Sequence, residues 1–504
     1  MPNETNEKLL AKKAVALLSA GRHEEAAEKL RNVCARQNVS PEHWFIFGSA
    51  LANLRDKTGA AHAFRKALET GPDSLRIFDS FIRVLISREG YEQVLEPLRL
   101  YLSLRPDHYI AKLRFITALT RLRRFSEAHQ LCEELNQIQP DNIELMFQMA
   151  EIYMLRGCVN EAIQLFNEIL TKNPASVAAL MNKGLALKSS GNIDAAIDQF
   201  MRVTSLSPNL DSAWYSLGLS LLCKPDNEKA LECFVKAFQI NPGNIHAGDQ
   251  LARMYRLFGR IDEAMRIYEM ILKVHPENVR ARFYLNAYSD DALPSRIPPE
   301  VIGLVYAKKD AGRNFDQALV KSMDYRTPDI LNSAVRKVVH VPDKGLDIME
   351  LGCGSGLCGS KLSDIAHRLI GTDLSKSMLE SAREKNVYDE LYEADLVDVL
   401  SSNAAAFDLV IATDVLCFFG DLTDIFGMCY KTLRKYGVFG FSVEKPKSDE
   451  LFALNPEGYF YHSLTHLRAA ASETGFEEAY VKETVLRTEQ DTKRVGYICL
   501  FKRK

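Results

Sequence analysis

Hydrophobic and small residues in the first half of the chain return with a fixed period of 34 positions. Prolines stand at Pro72, Pro106, Pro140, Pro174, Pro208, Pro242 and Pro276. In the same phase, Ala60, Val94, Ala128, Ala162, Ala196, Ala230 and Ala264 are each followed four residues later by a larger one: Phe64, Leu98, Cys132, Phe166, Phe200, Phe234 and Tyr268. Bulky residues open several units (Trp44, Phe78, Met146, Leu180, Trp214), and Gly48, Gly184 and Gly218 lie four positions after such openings. A spacing of four puts two residues on one face of a helix. The period therefore predicts pairs of antiparallel helices. The small residue permits close approach, the larger one fills the gap above it, and the proline closes the second helix. One hairpin cannot bury both its faces, so neighbours are expected to stack into an α-solenoid.

This pattern resembles the tetratricopeptide repeat over seven units from Pro41 to about Asn278. Ala26 and Leu30 mark an eighth, degenerate unit ahead of them, and a polar-faced helix near Val279 to Tyr288 is expected to cap the array, giving a repeat domain over 7–288. The repeated residues are core. The concave surface falls to Phe147, Met154, Met181, Leu185, Tyr215, Leu219 and Leu222. That apolar strip either receives a protein or peptide partner or packs against neighbouring helices. The Lys/Asn set that clamps a terminal carboxylate in some such domains is absent. Of the asparagine ladder of certain glycosyltransferase repeats, only Asn182 fits.

The helical phase breaks between Ser289 and Pro299, where three prolines and several turn residues read as a linker over 289–299. From Leu346 onward short apolar runs alternate with helical stretches, as an α/β sheet requires. Strands are expected at Leu346–Leu351, Arg368–Gly371, Leu391–Ala394, Phe407–Ala412 and Tyr436–Val443. The first ends in Gly352-Cys-Gly-Ser-Gly356, the second in Thr372-Asp373, the third at Asp395 and the fourth at Thr413-Asp414. Polar groups thus collect at the carboxyl ends of successive strands, where open α/β sheets bind ligands.

Gly354 to Gly359 satisfies G-x-G-x-x-G, a weak signal that alone suggests a dinucleotide. Glu350, just ahead of the loop, is poor company for a pyrophosphate but suits a ligand carrying an ammonium and a sulfonium. Asp373 is placed to accept ribose hydroxyls, and Asp395 an adenine amino group. Leu374, Leu396 and Val415 supply apolar faces for the ring. Asp373 and Asp395 are also placed to cap the helices that follow them. Three acids at three strand ends beside one glycine loop point to a shared ligand.

Residues 346–444 resemble a class I S-adenosylmethionine-dependent methyltransferase, and the segment Gly371 to Asp395 is similar to bacterial methyltransferases that carry tetratricopeptide repeats. The resemblance extends over most of 300–504. It implies an α + α/β chain whose second part is Rossmann-like, with a seven-stranded sheet ending in an antiparallel hairpin of Glu477–Leu486 and Arg494–Lys502. It also implies S-adenosyl-L-methionine as cofactor. Glu350, Gly352, Gly354 and Gly356 then face the methionine end, Asp373 the ribose and Asp395 the adenine, with Asp414 at the same strand edge. A helical lid over 300–340 is implied by Tyr306-Ala307, Phe315-Asp316 and Tyr325-Arg-Thr-Pro328. There Tyr325 and Arg326 become cofactor contacts, Arg326 toward the methionine carboxylate.

Methyl transfer from a sulfonium is an in-line displacement, so alignment and exclusion of water matter most. A base is needed only for a protonated acceptor. The candidates are His462, in the stretch Tyr459-Phe-Tyr-His-Ser463, then Asp414 and Glu444. Cys417 lacks the preceding proline of a pyrimidine-attacking thiol. The absence of an Asn/Asp-Pro-Pro-aromatic motif argues against amide or adenine N-methylation. Two other readings compete: a repeat-based adaptor whose second domain only binds cofactor, and an NAD(P)-dependent oxidoreductase. The missing Tyr-x-x-x-Lys pair disfavours the latter.

Composition refines this picture only modestly. A chain of 504 residues, 47% hydrophobic and 26% charged, suits more than one soluble core. A net charge of -3 asks for neither nucleic acid nor an anionic membrane. Ten scattered cysteines without paired histidines suggest a reducing, cytoplasmic setting and no metal site.

Overall fold

The structure is a computed structural model that describes residues 2–35, 39–69, 91–289, 293–306, 316, 320, 323–342, 345–447, 450–489 and 492–504. They form two compact units, Met1–Ser220 and Leu221–Lys504. Phe78, Pro72, Ala307 and Phe315 lie outside the described residues, as does the side chain of Tyr306.

In the first unit, helices Pro41–Asn53 and Lys57–Glu69 form a hairpin. Three more follow: Tyr109–Arg121 with Phe125–Ile138, Ile143–Leu155 with Val159–Lys172, and Val177–Ser189 with Ile193–Leu206. Pro2–Ser19 and His23–Cys34 make a further pair where the degenerate unit is expected. Ala60, Ala128, Ala162 and Ala196 are fully buried, as are Phe64 and Phe200. The structure adds a reason for the glycines. A β-carbon on Gly48 would come within 2.7 Å of Phe64, and one on Gly184 within 2.6 Å of Phe200. In these two hairpins the glycine of the first helix is the hollow that receives the aromatic ring of the second.

The later second helices end at Ile138, Lys172, Leu206, Ile240 and Val274, each two residues before its proline. The intervening residues, Gln139, Asn173, Ser207, Asn241 and His275, have φ between -138 and -130. This is the extended backbone that a following proline enforces, because its ring clashes with a preceding α conformation. Along the apolar strip, Phe147 and Met154 pack onto the core around Ala150 and Phe166, and Met181 packs beside Leu180 and Val203. Leu185 is exposed, and Tyr215, Leu219 and Leu222 are half-buried.

The second unit opens with helices Asn227–Ile240, Ile245–Leu257, Ile261–Val274 and Val279–Ser289. The last differs from the polar-faced cap expected of it. Ala281, Phe283, Tyr284 and Ala287 are buried. Tyr284 stacks on Tyr268 with centroids 5.4 Å apart and carries the buried Arg256 guanidinium over its ring at 3.9 Å. Its outer side meets a loop of the α/β part, where a β-carbon on Gly458 would lie 2.0 Å from the Tyr284 hydroxyl. An end covered by protein needs no polar face.

The α/β part contains strands β1 (Leu346–Leu351), β2 (Ala366–Asp373), β3 (Glu390–Glu393), β4 (Phe407–Ala412), β5 (Leu433–Glu444), β6 (Phe452–Leu454), β7 (Phe460–His462), β8 (Phe476–Glu489) and β9 (Thr492–Arg503). Seven of them form one sheet in the order β3-β2-β1-β4-β5-β9-β8, with β6 and β7 a separate hairpin. Strands β1 to β5 run parallel, and β9 is antiparallel to both β5 and β8. The third strand starts one residue before the expected Leu391 and ends one before Ala394. The three-residue strands β6 and β7 are too short to show a period. In register, Glu350 stands between Gly371 and Ile411, which aligns the ends of the parallel strands on one edge.

Part of the linker is structured. Ile297 N–H donates to the Phe418 carbonyl (2.8 Å), Gly420 N–H donates to the Ser295 carbonyl (2.8 Å), and Arg296 bridges to Phe419. These bonds fasten residues 295–297 as a strap on the loop after β4.

Candidate functional site

At the carboxyl edge of the parallel strands lies a crevice of about 300 Å³. Its walls include Glu350, Gly352 and Gly354 of the glycine loop, Asp373, Leu374, Asp395, Leu396, Asp414 and Val415. The expected cofactor residues therefore converge, with two exceptions. Gly356 turns toward the Tyr388 ring, which lies 2.9 Å from where its β-carbon would be, and is not part of the wall. Arg326 is exposed, pairs with Asp324 at 3.0 Å and does not line the crevice.

The glycine loop has its shape for two reasons. Gly352 adopts φ +59, and a β-carbon there would sit 2.3 Å from Val415. Glycine alone satisfies both the left-handed backbone and the space. At Gly359, a β-carbon would meet the Tyr388 hydroxyl at 2.3 Å and Glu350 Oε2 at 2.7 Å. The chain must stay bare there so that Gly359 N–H and the Tyr388 hydroxyl can both donate to Glu350. Burial dominates even so and pushes the Glu350 carboxyl up to about 7.

Asp373 accepts from Gly354 N–H (2.9 Å) and Ser375 N–H (2.8 Å). Burial raises its pKa, and the surrounding N–H groups oppose the rise. Asp395 caps its helix through Val397 N–H at 2.9 Å and is joined by Arg296 at 2.5 Å. The capping and ligand roles of these two acids are therefore compatible, because each carboxylate oxygen has a second lone pair. Asp316 accepts from Ser355 of the loop, and Lys385 Nζ donates to the Ser355 carbonyl at 2.7 Å. Lys385, Tyr388 and Arg296 were not among the sequence candidates.

The other half of the crevice is lined by Tyr325, Asp414, Cys417, Phe418, Glu444, Tyr459, Tyr461 and Arg487. Asp414 sits at φ +55, with its N–H donating to Ser442 Oγ (2.8 Å) and that hydroxyl donating to Asp414 Oδ1 (2.7 Å). The buried Tyr325 hydroxyl also donates to Asp414, and burial raises its pKa far from the physiological range. Arg487 is 3.5 Å from Asp414, contacts Glu444, and lies 2.6 Å from Glu489. Burial raises the Glu444 pKa against the pull of Arg487. Burial also pushes the Cys417 thiol's pKa up, which disfavours the reactive thiolate.

His462 is not brought to the crevice. It is fully buried behind it, with Nε2 3.3 Å from the Leu416 carbonyl and its ring stacked 5.6 Å from His466. Burial pushes its pKa down to about 3. A neutral imidazole shut inside the core supports the loop after β4 and has no path to a reacting group.

Residues 349–441 match the family model described as a methyltransferase domain, and residues 12–74, 177–210 and 245–287 match tetratricopeptide repeat models. The chain is 26% identical over 163 residues to the biotin biosynthesis bifunctional protein BioHC of Saccharophagus degradans, covering 31% of this chain and 29% of that protein. It is 33% identical over 84 residues to the 18S rRNA (guanine-N(7))-methyltransferase RID2 of Arabidopsis thaliana, covering 16% and 29%. Among solved structures, it resembles the magnesium protoporphyrin IX methyltransferase ChlM of Synechocystis PCC 6803 with bound SAM, at 18% identity and a TM-score of 0.32 over 43% of this chain and 100% of that one. The chain spans under a third of the length of these two curated relatives.

Proposed function

We propose that this chain, in which a methyltransferase domain follows tetratricopeptide repeats, transfers a methyl group from S-adenosylmethionine to an acceptor held between β4, β5 and the terminal repeat. One observation carries the reading: Glu350, Asp373 and Asp395 face a single crevice beside the glycine loop. Three carboxylates there suit a cationic nucleoside and oppose a pyrophosphate. When bound, S-adenosylmethionine supplies a methyl group on a sulfonium whose leaving group is a neutral thioether.

The chain's own residues then have separate tasks. Glu350 faces the positively charged amino acid end, and Asp373 accepts from the ribose. Leu374, Leu396 and Val415 enclose the ring. The acceptor attacks the methyl carbon as the carbon–sulfur bond breaks, and a proton left on the acceptor passes to Asp414. Tyr325 and Ser442 hold that carboxylate in place, which reduces the reorganisation needed at reaction.

The repeats have a part in shaping the acceptor site. Tyr284 packs on Gly458, and Arg253 lies within electrostatic reach of Glu457 and Tyr459, a residue of the acceptor wall. The test is transfer of radiolabelled methyl from S-adenosylmethionine into a cell extract. Incorporation that falls more than about tenfold in D414A, while S-adenosylhomocysteine still binds, supports the reading. No incorporation by the unaltered chain in any extract fraction contradicts it.

A further inference from the structure

Arg296 comes from the strap between the repeats and the methyltransferase domain, yet its side chain lines the crevice. Its Nη2 donates to Asp395 Oδ2 at 2.5 Å, and its guanidinium carbon lies 5.1 Å from the centre of the Phe419 ring. The neighbouring Nε is buried and has no hydrogen-bond partner. A buried guanidinium N–H left unpaired is costly, and such groups are ordinarily satisfied by protein, water or ligand. The strap's backbone bonds to Phe418 and Gly420 fix the main chain of the arginine beside the crevice, and its pairing with Asp395 sets the direction of the side chain.

The resulting pair has a defined chemical complement. Asp395 offers an acceptor and Arg296 Nε–H a donor, side by side. Adenine offers the reverse: an amino donor flanked on either side by a ring nitrogen that accepts. We infer that Arg296 is a cofactor-binding residue, donating through Nε to a ring nitrogen beside the amino group that Asp395 accepts. This rests on the S-adenosylmethionine reading and adds to it. The segment joining the two parts of the chain supplies half of the purine recognition.

The experiment is calorimetry on the full-length protein with S-adenosylhomocysteine and its 1-deaza and 7-deaza analogues, each of which lacks one ring acceptor. The unaltered protein should bind one of the two analogues about tenfold more weakly than the parent. In R296A the parent should weaken by a similar factor, and that analogue should then bind as well as the parent does. R296K, which keeps the charge but not the planar fork, should behave like R296A and serves if R296A does not fold. A merely supporting arginine would weaken all three ligands alike and leave the deaza penalty in place. That result overturns the inference, as does unchanged or tighter binding of the parent by R296A. D373A separates the two levels. If it weakens all three ligands while R296A changes nothing, the cofactor reading stands and the Arg296 role falls. If the unaltered protein binds none of them, both fall.

Discussion

The hydroxyl of Tyr388 donates to Glu350 Oε2 across 2.7 Å, inside a region where the carboxyl is almost completely buried. This bond and the Gly359 N–H favour the ionised form, but burial outweighs them and leaves Glu350 near 7. A cationic ligand binds the carboxylate and not the acid, so protonation must be reversed for binding at lower pH. Affinity for S-adenosylmethionine should rise about five- to tenfold between pH 6 and 7.5. Calorimetry across that range should show the slope in the unaltered protein and a flat profile in E350Q. In Y388F the slope should move to higher pH, because one stabilising donor is gone.

Gly352 should tolerate no side chain. G352A combines a left-handed backbone with a contact at 2.3 Å from Val415, so a stability loss of about 2 kcal/mol or more is expected. The double variant G352A/V415A removes the collision but not the backbone strain. Thermal unfolding should therefore show only partial recovery.

In the repeats, G184A should cost about 1–3 kcal/mol, because the added methyl enters the space held by Phe200. G191A makes a useful contrast. That glycine has φ +82 but open space around it, so its cost comes from the backbone alone and F200L should not relieve it. F200L should partly relieve G184A. Melting temperatures of G184A, G191A, F200L, G184A/F200L, G191A/F200L and the parent decide the matter.

His462 gives an acid-sensitivity prediction. Its pKa is lowered to about 3, so the folded state keeps it neutral while the unfolded state binds a proton near 6.5. The stability linked to this group is present above 6.5 and is lost as pH falls toward 3, at about 1.4 kcal/mol per unit. Between pH 6.5 and 5 the protein should lose about 2 kcal/mol from this source. H462Q should be less stable at pH 7 but should lose less on acidification. His466, whose pKa burial also lowers, will retain a smaller slope of its own.

Much of the architecture was legible because it is written in local periods. The 34-residue phase located helix pairs, their buried alanines and aromatics, and their proline ends. Apolar runs located the parallel strands, and the acids at their ends located the crevice. What escaped depends on chain segments meeting across long separations. Arg296 is a lone arginine in a proline-rich stretch, and only the bonds to Phe418 and Gly420 make it part of the crevice. Tyr388 falls between a helix and a strand with no pattern around it, yet it reaches Glu350. The resemblance of Tyr325-Arg-Thr-Pro328 placed both Tyr325 and Arg326 at the cofactor, but successive residues leave the chain in different directions, and Arg326 pairs with Asp324 outside. His462 lay in a suggestive motif whose aromatic neighbours enclose it. The polar cap failed because the solenoid end is covered by the Gly458 loop, which no repeat pattern encodes.

The most direct test of the central claim is calorimetry of the unaltered chain and of D373A with S-adenosylmethionine and with NAD. Asp373 is bonded through Gly354 and Ser375 N–H groups and faces the crevice, so its loss should weaken S-adenosylmethionine binding more than about tenfold. NAD should not bind measurably to either protein. Binding of NAD in preference to the sulfonium nucleoside, or equal affinity for that nucleoside in D373A, would contradict the account.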